Sequence, residues 1–271
     1  IMYELKDTVV LITGAAKGIG AAFVKILVKQ GAKHVRILDI DEAAGVLLQK
    51  EQNTEHASSI VKFTKCDITN DEELFGAFKD TTDQYGYIDL VVNNAGVANE
   101  SNSDFVRKEI EVNFTALVNG TLKALELMRK DKGGRGGTVI NVSSIAALIK
   151  HSPLLFVYAA TKNAVLQFSN CIGKEPYCSK TGVRVITICY GPTKTGILEQ
   201  MASFDEDIEM QQLMALYPMQ STEVAALGTL EAYRRGESGS TWLIHNGKPA
   251  KDITTSIDKA YTDLARLLTD D

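Results

Sequence analysis

The sequence predicts an α/β fold, a single doubly wound parallel sheet with helices on both faces, spanning residues 1–271. Three observations predict it. Short, nearly unbroken apolar runs rich in β-branched residues recur along the first two thirds of the chain. Each is followed by a longer stretch with helical apolar spacing. No linker composition interrupts the alternation. Strands apolar on both sides belong to a parallel sheet covered on both faces.

The elements follow in order. Val9–Thr13 (VVLIT) reads as a strand ending in glycine turns, and Ala21–Lys29 as a helix with Phe23, Ile26 and Leu27 on one face. Val35–Leu38 and Val61–Lys65 are the second and third strands. A helix over Glu72–Tyr85 precedes a fourth strand, Leu90–Val92. Phe105–Lys130 carries one long helical pattern, with Val106, Ile110, Phe114, Leu117, Leu125 and Met128. The glycine cluster from Lys132 to Gly137 ends it. Thr138–Val142 is the fifth strand, Tyr158–Gly173 a helix, Val183–Cys189 the sixth strand and Ser240–His245 the last. Ile197–Gln220 breaks the rhythm and holds Met201, Met210, Met214 and Met219, so it is expected as an insertion over the sheet's carboxyl edge. The tail after Lys248 has a weak helical pattern in Ile257, Ala260, Leu264 and Leu267.

Composition narrows the function classes. The chain is 45% hydrophobic and 23% charged, which suits a sizeable core and excludes bulk disorder. A net charge of -5 argues against general affinity for nucleic acid or anionic membrane. The basic stretch Lys130–Arg135 reads as a solvated helix end. Cys66, Cys171, Cys178 and Cys189 form no CxxC pair, and Cys66 and Cys189 are expected as buried thiols. His34, His56, His151 and His245 fit no ligand spacing, so no metal is expected. The start, IMYELKD, carries charges where a secretory leader needs an apolar run, and no window reaches the length of a membrane span. A cytoplasmic protein is the expectation.

Thr13-Gly14-Ala15-Ala16-Lys17-Gly18-Ile19-Gly20 lies between the first strand and the first helix. Gly14 permits a tight turn, Gly18 lets backbone approach a pyrophosphate, and Gly20 lets helix and strand pack closely. The helix N-terminus faces the negative charge. This is a Rossmann-type dinucleotide loop with the spacing GxxxGxG. Asp39 closes the second strand about twenty residues on, where a carboxylate accepts the adenosine ribose hydroxyls and repels a 2′-phosphate. NAD is therefore expected rather than NADP. Two features stand against this. Asp39 also reads as a solvated turn acid, and Lys17 could meet a 2′-phosphate.

Tyr158 and Lys162 stand at i and i+4 of a helix, so phenol and ammonium share a face. A free tyrosine, with pKa ~10, is a poor base at neutral pH. A neighbouring cation favours the phenolate, and an oxidised nicotinamide adds to it. Alone, YxxxK reads better as a surface pair. Here it has company. Asn141-Val142-Ser143-Ser144 ends the fifth strand, where a serine could hold a substrate oxygen, and Asn93-Asn94-Ala95-Gly96 ends the fourth, facing the nicotinamide side. Asp67 in Cys66-Asp67-Ile68 suits either the adenine amine or an ordinary turn. Asn113 lies inside a helix, where asparagine is mildly unfavourable, and is either functional or solvent-facing.

Taken together, TGAAKGIG, the strand-ending Asp39, CDI, NNAG, Asn113, the VSS serine and YxxxK resemble the short-chain dehydrogenase/reductase family, from about Leu5 to Leu198. Within it, GAKHVRILDIDEAAGV, NNAGVANE, KGGRGGTVINVSS and GVRVITIC are most similar to NAD-dependent 15-hydroxyprostaglandin dehydrogenases and insect-type alcohol dehydrogenases. The resemblance implies a catalytic tetrad of Asn113, Ser144, Tyr158 and Lys162. Tyr158 would be the general base, Ser144 the later and catalytic serine of its motif, and Asn113 the holder of a relay water. It also implies cofactor contacts from Gly14, Ala16, Lys17, Gly18, Ile19, Gly20, Asp39, Ile40, Cys66, Asp67, Ile68, Asn94, Ala95, Gly96, Tyr158 and Lys162, then Gly191, Thr193 and Thr195. The family's usual Pro-Gly after the sixth strand is here Tyr190-Gly191, so Tyr190 could fill part of the nicotinamide pocket. Pairing of the two long helices implies a homodimer, with a tetramer as the alternative; the same stripes also read as core.

The expected function is NAD-dependent oxidation of a hydrophobic secondary alcohol to a ketone, or the reverse. Two alternatives are eicosanoid or lipid oxidation of the 15-hydroxyprostaglandin dehydrogenase kind and a non-catalytic NAD-binding regulator.

Overall fold

The computed structural model describes residues 2–56, 60–150, 155–205, 207 and 217–268. Its strands are β1 (Val9–Thr13), β2 (His34–Asp39), β3 (Val61–Lys65), β4 (Leu90–Asn93), β5 (Gly137–Ser144), β6 (Val183–Tyr190), β7 (Thr241–Ile244) and β8 (Lys251–Asp252). They form one sheet in the order β3-β2-β1-β4-β5-β6-β7-β8. Every neighbouring pair is parallel except the last, where β8 runs antiparallel to β7. The order reverses between β1 and β4, which opens a crevice at the strands' carboxyl ends.

The unbroken apolar runs are explained by two cores. Val10, Ile12, Val35, Ile37, Ile140 and Ile186 pack on one face with Phe23, Leu27, Ala225 and Tyr233. Leu11, Leu38, Val91, Val139 and Val185 pack on the other with Leu74, Phe78, Ala124 and Met128. Successive strand residues point to opposite faces, so two covered faces demand apolar residues at nearly every position.

The helices are α1 (Gly18–Lys29), α2 (Glu42–Glu55), α3 (Asp71–Tyr85), α4 (Ser103–Ile110), α5 (Ala116–Met128), α6 (Phe156–Ile172), α7 (Tyr177–Thr181), α8 (Gly196–Gln200), α9 (Thr222–Arg235) and α10 (Thr254–Arg266). The pattern expected as one helix over Phe105–Lys130 is two, α4 and α5, joined by a π-helical turn at Glu111–Thr115. Asn113 explains the break. Its Oδ1 accepts the Val97 N–H at 2.9 Å and its Nδ2 donates to the Val97 carbonyl at 2.8 Å, which holds that turn against the loop after β4. The helix ends at Met128, short of Lys130, because Arg129 is extended. Gly133 and Gly136 then take φ of 92° and 84°, which L-residues avoid.

The sequence pattern does not signal α2 and α9. The first buries only Gly45, Leu48 and Gln52, and the second mostly small residues, including Ala225, Ala226, Gly228 and Ala232. A periodicity of large apolar residues cannot reveal such helices. Of the Met-rich segment, the ends are described. Ala202 bridges to Asn99 and Gln220 to Thr193, both beyond the carboxyl ends of strands. Met210 and Met214 lie outside the described residues, as does His151. Among the described residues, no helix is long and apolar enough to cross a membrane. Cys66 and Cys189 are buried, and burial pushes both thiols up to about 12.

Candidate active site

A cavity of about 430 Å³ occupies the crevice. One end is walled by the glycine loop (Gly14, Lys17, Gly18, Ile19), by Asp39 and Ile40 at the end of β2, and by Cys66, Asp67 and Ile68 after β3. Asn94, Ala95 and Gly96 form the middle. Ser144, Tyr158, Lys162, Gly191, Thr193 and Thr195 form the far end, which continues into an apolar wall including Ile149, Leu155, Leu198 and Met201. The motifs separated in sequence thus line one cavity. Ala16, Gly20 and Asn113 do not line it.

The glycine loop has the shape a diphosphate requires. Gly14 and Gly18 have φ of +62° and +60°. A Cβ on Gly14 would meet the Ala95 Cα at 2.6 Å, and one on Gly20 the Gly14 carbonyl at 2.4 Å. Gly20 therefore serves helix–loop packing, which keeps it off the cavity wall. α1, like α6, begins without a side-chain cap of its own. Asp41, Asn70, Asn102 and Ser221 cap their own helices, whereas Lys17 offers α1 no side-chain cap. Its first N–H groups are left for an anion. The Asp39 carboxylate accepts the Ala16 N–H at 2.9 Å and the Asp41 N–H at 3.0 Å. That engagement explains why Ala16 lies behind the wall. Lys17 forms an ion pair with Asp41, so its charge is already compensated. Asp67 lines the cavity, and its Oδ1 also accepts the Thr69 N–H at 3.0 Å, as the turn reading of this acid expects.

At the far end, α6 presents Tyr158 and Lys162 together, with Nζ 5.7 Å from the centre of the phenol ring. Lys162 is buried and donates to the Val142 carbonyl at 3.1 Å. Burial pulls its pKa down to about 8, against the pull of Glu109. Burial raises Tyr158 above the usual phenol value, with Ser144 opposing and Glu109 adding to the rise. The two serines separate in role. Ser143 donates to the Lys162 carbonyl at 2.7 Å and so fastens β5 to α6. Ser144 accepts the Ala146 N–H at 3.1 Å and stands beside the phenol. Asn113 is wholly buried, so the solvent-facing reading fails.

Tyr190 lines the cavity, but its hydroxyl is turned away from it. That group is hydrogen-bonded to Thr229 in α9, within the core that includes Ala225 and Ile244. The loop after it is fastened elsewhere. Gln220 Nε2 donates to Thr193 Oγ1 at 3.1 Å and to the Ile244 carbonyl at 2.9 Å.

Sequence reasoning missed two buried acids. Glu100 is 1% exposed, and its carboxylate accepts the N–H groups of Phe156, Val157 and Tyr158 at 3.0, 2.8 and 2.9 Å. It caps α6 from a distant loop. Glu109 is 0% exposed and accepts the Asn99 N–H at 2.7 Å. Neither had a signal, since charged residues in polar stretches read as surface.

Comparison with known proteins agrees with this geometry. The family model for short chain dehydrogenases matches residues 8–206. The chain is 34% identical over 226 residues to 15-hydroxyprostaglandin dehydrogenase [NAD(+)] of Rattus norvegicus, covering 83% of this chain and 80% of that protein. It is 29% identical over 246 residues to alcohol dehydrogenase 1 of Ceratitis cosyra, covering 89% and 93%. A solved structure, 3-ketoacyl-(acyl-carrier-protein) reductase from Brucella melitensis complexed with NADH, superposes with a TM-score of 0.74 at 21% identity, covering 89% and 97%.

Proposed function

The chain belongs to the short-chain dehydrogenase family, and on that premise we propose that it is an NAD-dependent oxidoreductase that interconverts a hydrophobic secondary alcohol and its ketone. The observation that carries this is a cavity with a dinucleotide cradle at one end and Ser144, Tyr158 and Lys162 at the other.

The residues divide the work. The N-terminus of α1, which no side chain caps, and the close backbone at Gly14 and Gly18 suit the pyrophosphate. Asp39 suits the adenosine ribose hydroxyls, and Cys66, Asp67 and Ile68 suit the adenine. Asn94, Ala95 and Gly96 support the middle of the cofactor, and Gly191, Thr193 and Thr195 its nicotinamide end. When bound, NAD supplies the hydride acceptor and a positive charge near Tyr158.

Tyr158 takes the proton from the substrate hydroxyl as the carbinol hydride departs. Burial favours the protonated phenol. A cation in the cavity works against that burial and favours the phenolate. Lys162 adds to this effect, and its Val142 contact keeps the ammonium on the phenol's side of α6. Ser144 steadies the substrate oxygen as its charge changes. Asn113 shapes the π-helical turn beneath Lys162 and suits a relay water there. The apolar wall of Ile149, Leu155, Leu198 and Met201 suits a hydrophobic substrate. The rat relative favours a second version of the reading, a hydroxylated fatty acid or prostaglandin. Exposed Phe105 and Ile110 on α4 and Leu122 on α5 support a homodimer through these helices.

The test is initial rates of NADH formation across alcohols from 2-propanol through terpenols to a hydroxylated fatty acid and a prostaglandin. NADP is run in parallel. Turnover with NAD on the hydrophobic members is expected. NAD binding with no turnover on any member would overturn the enzyme reading and leave a cofactor-binding regulator.

A further inference from the structure

Glu109 is a buried acid with work left over. It lies in the last turn of α4, one turn before Asn113, and is 0% exposed. Its Oε2 accepts the Asn99 N–H at 2.7 Å, but its Oε1, equally buried, has no hydrogen-bond partner among the described residues. A buried carboxylate oxygen left unsatisfied is costly, so it requires a reason. Its surroundings supply one. α4 and the π-helical turn pack against α6, which carries Lys162 and Tyr158, and Glu109 acts electrostatically on both. A Cβ built on Gly96 would lie 3.3 Å from Lys162 Nζ and 3.3 Å from Asn113 Oδ1, so backbone, amide and ammonium crowd one small space where Gly96 and Lys162 line the cavity.

We propose that Glu109 is the proton acceptor behind Lys162, the carboxylate through which the proton released by alcohol oxidation leaves the site. This rests on the reading of Tyr158 as base and Lys162 as its partner. The step is a proton transfer alone. An N–H bond of the Lys162 ammonium breaks as a bridging water takes that proton and passes one of its own to Glu109 Oε1, where an O–H bond forms; no electrons change hands. Lys162, now neutral, can accept the next proton from the Tyr158 side. Glu109 then loses its proton to solvent.

Acidities suit such an exchange. Burial raises Glu109 to about 7, with the Asn99 N–H opposing, Glu100 raising it further and Lys162 lowering it. Lys162 stands at about 8, so a proton passes between them with little uphill cost. The charged or titratable groups facing Glu109 are Glu100 from the loop after β4 and Lys162 and Tyr158 from α6.

The experiment has a resting and a turnover arm. Infrared titration of the cofactor-free protein, with 13C-labelled glutamate, should show one protonated carboxyl that ionises near pH 7 and is absent in Glu109→Gln. In Lys162→Met its midpoint should rise by about one unit or more, because the neighbouring cation is gone. In turnover with NAD and the best alcohol of the panel, Glu109→Gln should lower kcat by about tenfold, less than the about 10²-fold or more of a direct acid–base group. Imidazole in the buffer should restore much of it, while the Kd for NADH stays unchanged. Where Glu109→Gln does not fold, Glu109→Met replaces it. A midpoint unmoved in Lys162→Met, no glutamate ionising near 7, or a kcat loss that imidazole leaves untouched would overturn the proposal. Absence of turnover in the wild type would instead overturn the dehydrogenase reading, and the infrared arm tells the two failures apart.

Discussion

The carboxylate of Glu100, in the loop after β4, accepts the backbone N–H of Tyr158 on α6 at 2.9 Å. The same carboxylate takes the N–H groups of Phe156 and Val157, and the Glu100 N–H donates to the Ala202 carbonyl at 2.8 Å. One residue thus joins the helix that carries Tyr158 to the segment around Ala202. α6 lacks a side-chain cap of its own, so these bonds are its N-terminal cap.

Replacing Glu100 by Ala strands three donors at a buried helix end. Stability should fall by about 3 kcal/mol, and kcat should fall while NADH affinity holds. Glu100→Gln keeps an acceptor and should lose less of both. Urea unfolding beside steady-state kinetics checks this; equal kcat in Glu100→Ala and wild type would remove Glu100 from the positioning of Tyr158.

Tyr158→Phe removes the hydroxyl and little else. Its kcat should drop about 10²- to 10⁴-fold. NADH should still bind, because the cradle at Gly14, Gly18 and Asp39 is untouched. Fluorescence titration with NADH, beside NADH-formation rates, separates binding from chemistry.

Asp41 bears on cofactor choice. It pairs with Lys17 at the mouth of the ribose end, and its other oxygen caps α2 through the Ala44 N–H at 3.0 Å. Asn at this position keeps the cap and releases the lysine. An exposed ion pair is weak, so the NADP-to-NAD ratio of kcat/KM should rise only modestly, by about threefold to fivefold, in Asp41→Asn. Adding Lys17→Gln should cancel the gain. A ratio unmoved in the single variant would show that Lys17 does not reach a 2′-phosphate.

His34 makes stability depend on acid. It is buried, stacked on Tyr85 with ring centres 4.4 Å apart, and burial pulls its pKa down to about 4. Above its unfolded value of ~6.5 both states are neutral and nothing changes. Between there and about 4 the unfolded chain binds a proton that the folded one refuses, so stability falls with falling pH. Below about 4 this contribution is flat. Thermal unfolding from pH 7 to 4 should show a shallower decline in His34→Phe; identical slopes would place the titration elsewhere.

Much of the molecule is legible in short windows. The doubly apolar strands announce a sheet covered on both faces. The glycine loop, Asp39 and the Tyr158–Lys162 spacing announce a dinucleotide site. Less is legible where a helix packs through small residues. α9 lies close to β7 because Gly228 lacks a side chain, since a Cβ there would meet Ile244 at 2.7 Å. No periodic large residue marks it.

The sequence by itself determined what depends on local geometry. Strand alternation, helical spacing, the positive-φ glycines and the i, i+4 pair are set by backbone dihedrals within a few residues. The tertiary structure alone decided which groups meet across the sheet's carboxyl edge. It set Ser144 rather than Ser143 beside the phenol, turned the Tyr190 hydroxyl to Thr229, paired Lys17 with Asp41, and buried Glu100 and Glu109. Those outcomes depend on contacts between residues far apart in the chain, whose charge and hydrogen-bonding value changes only once water is excluded around them.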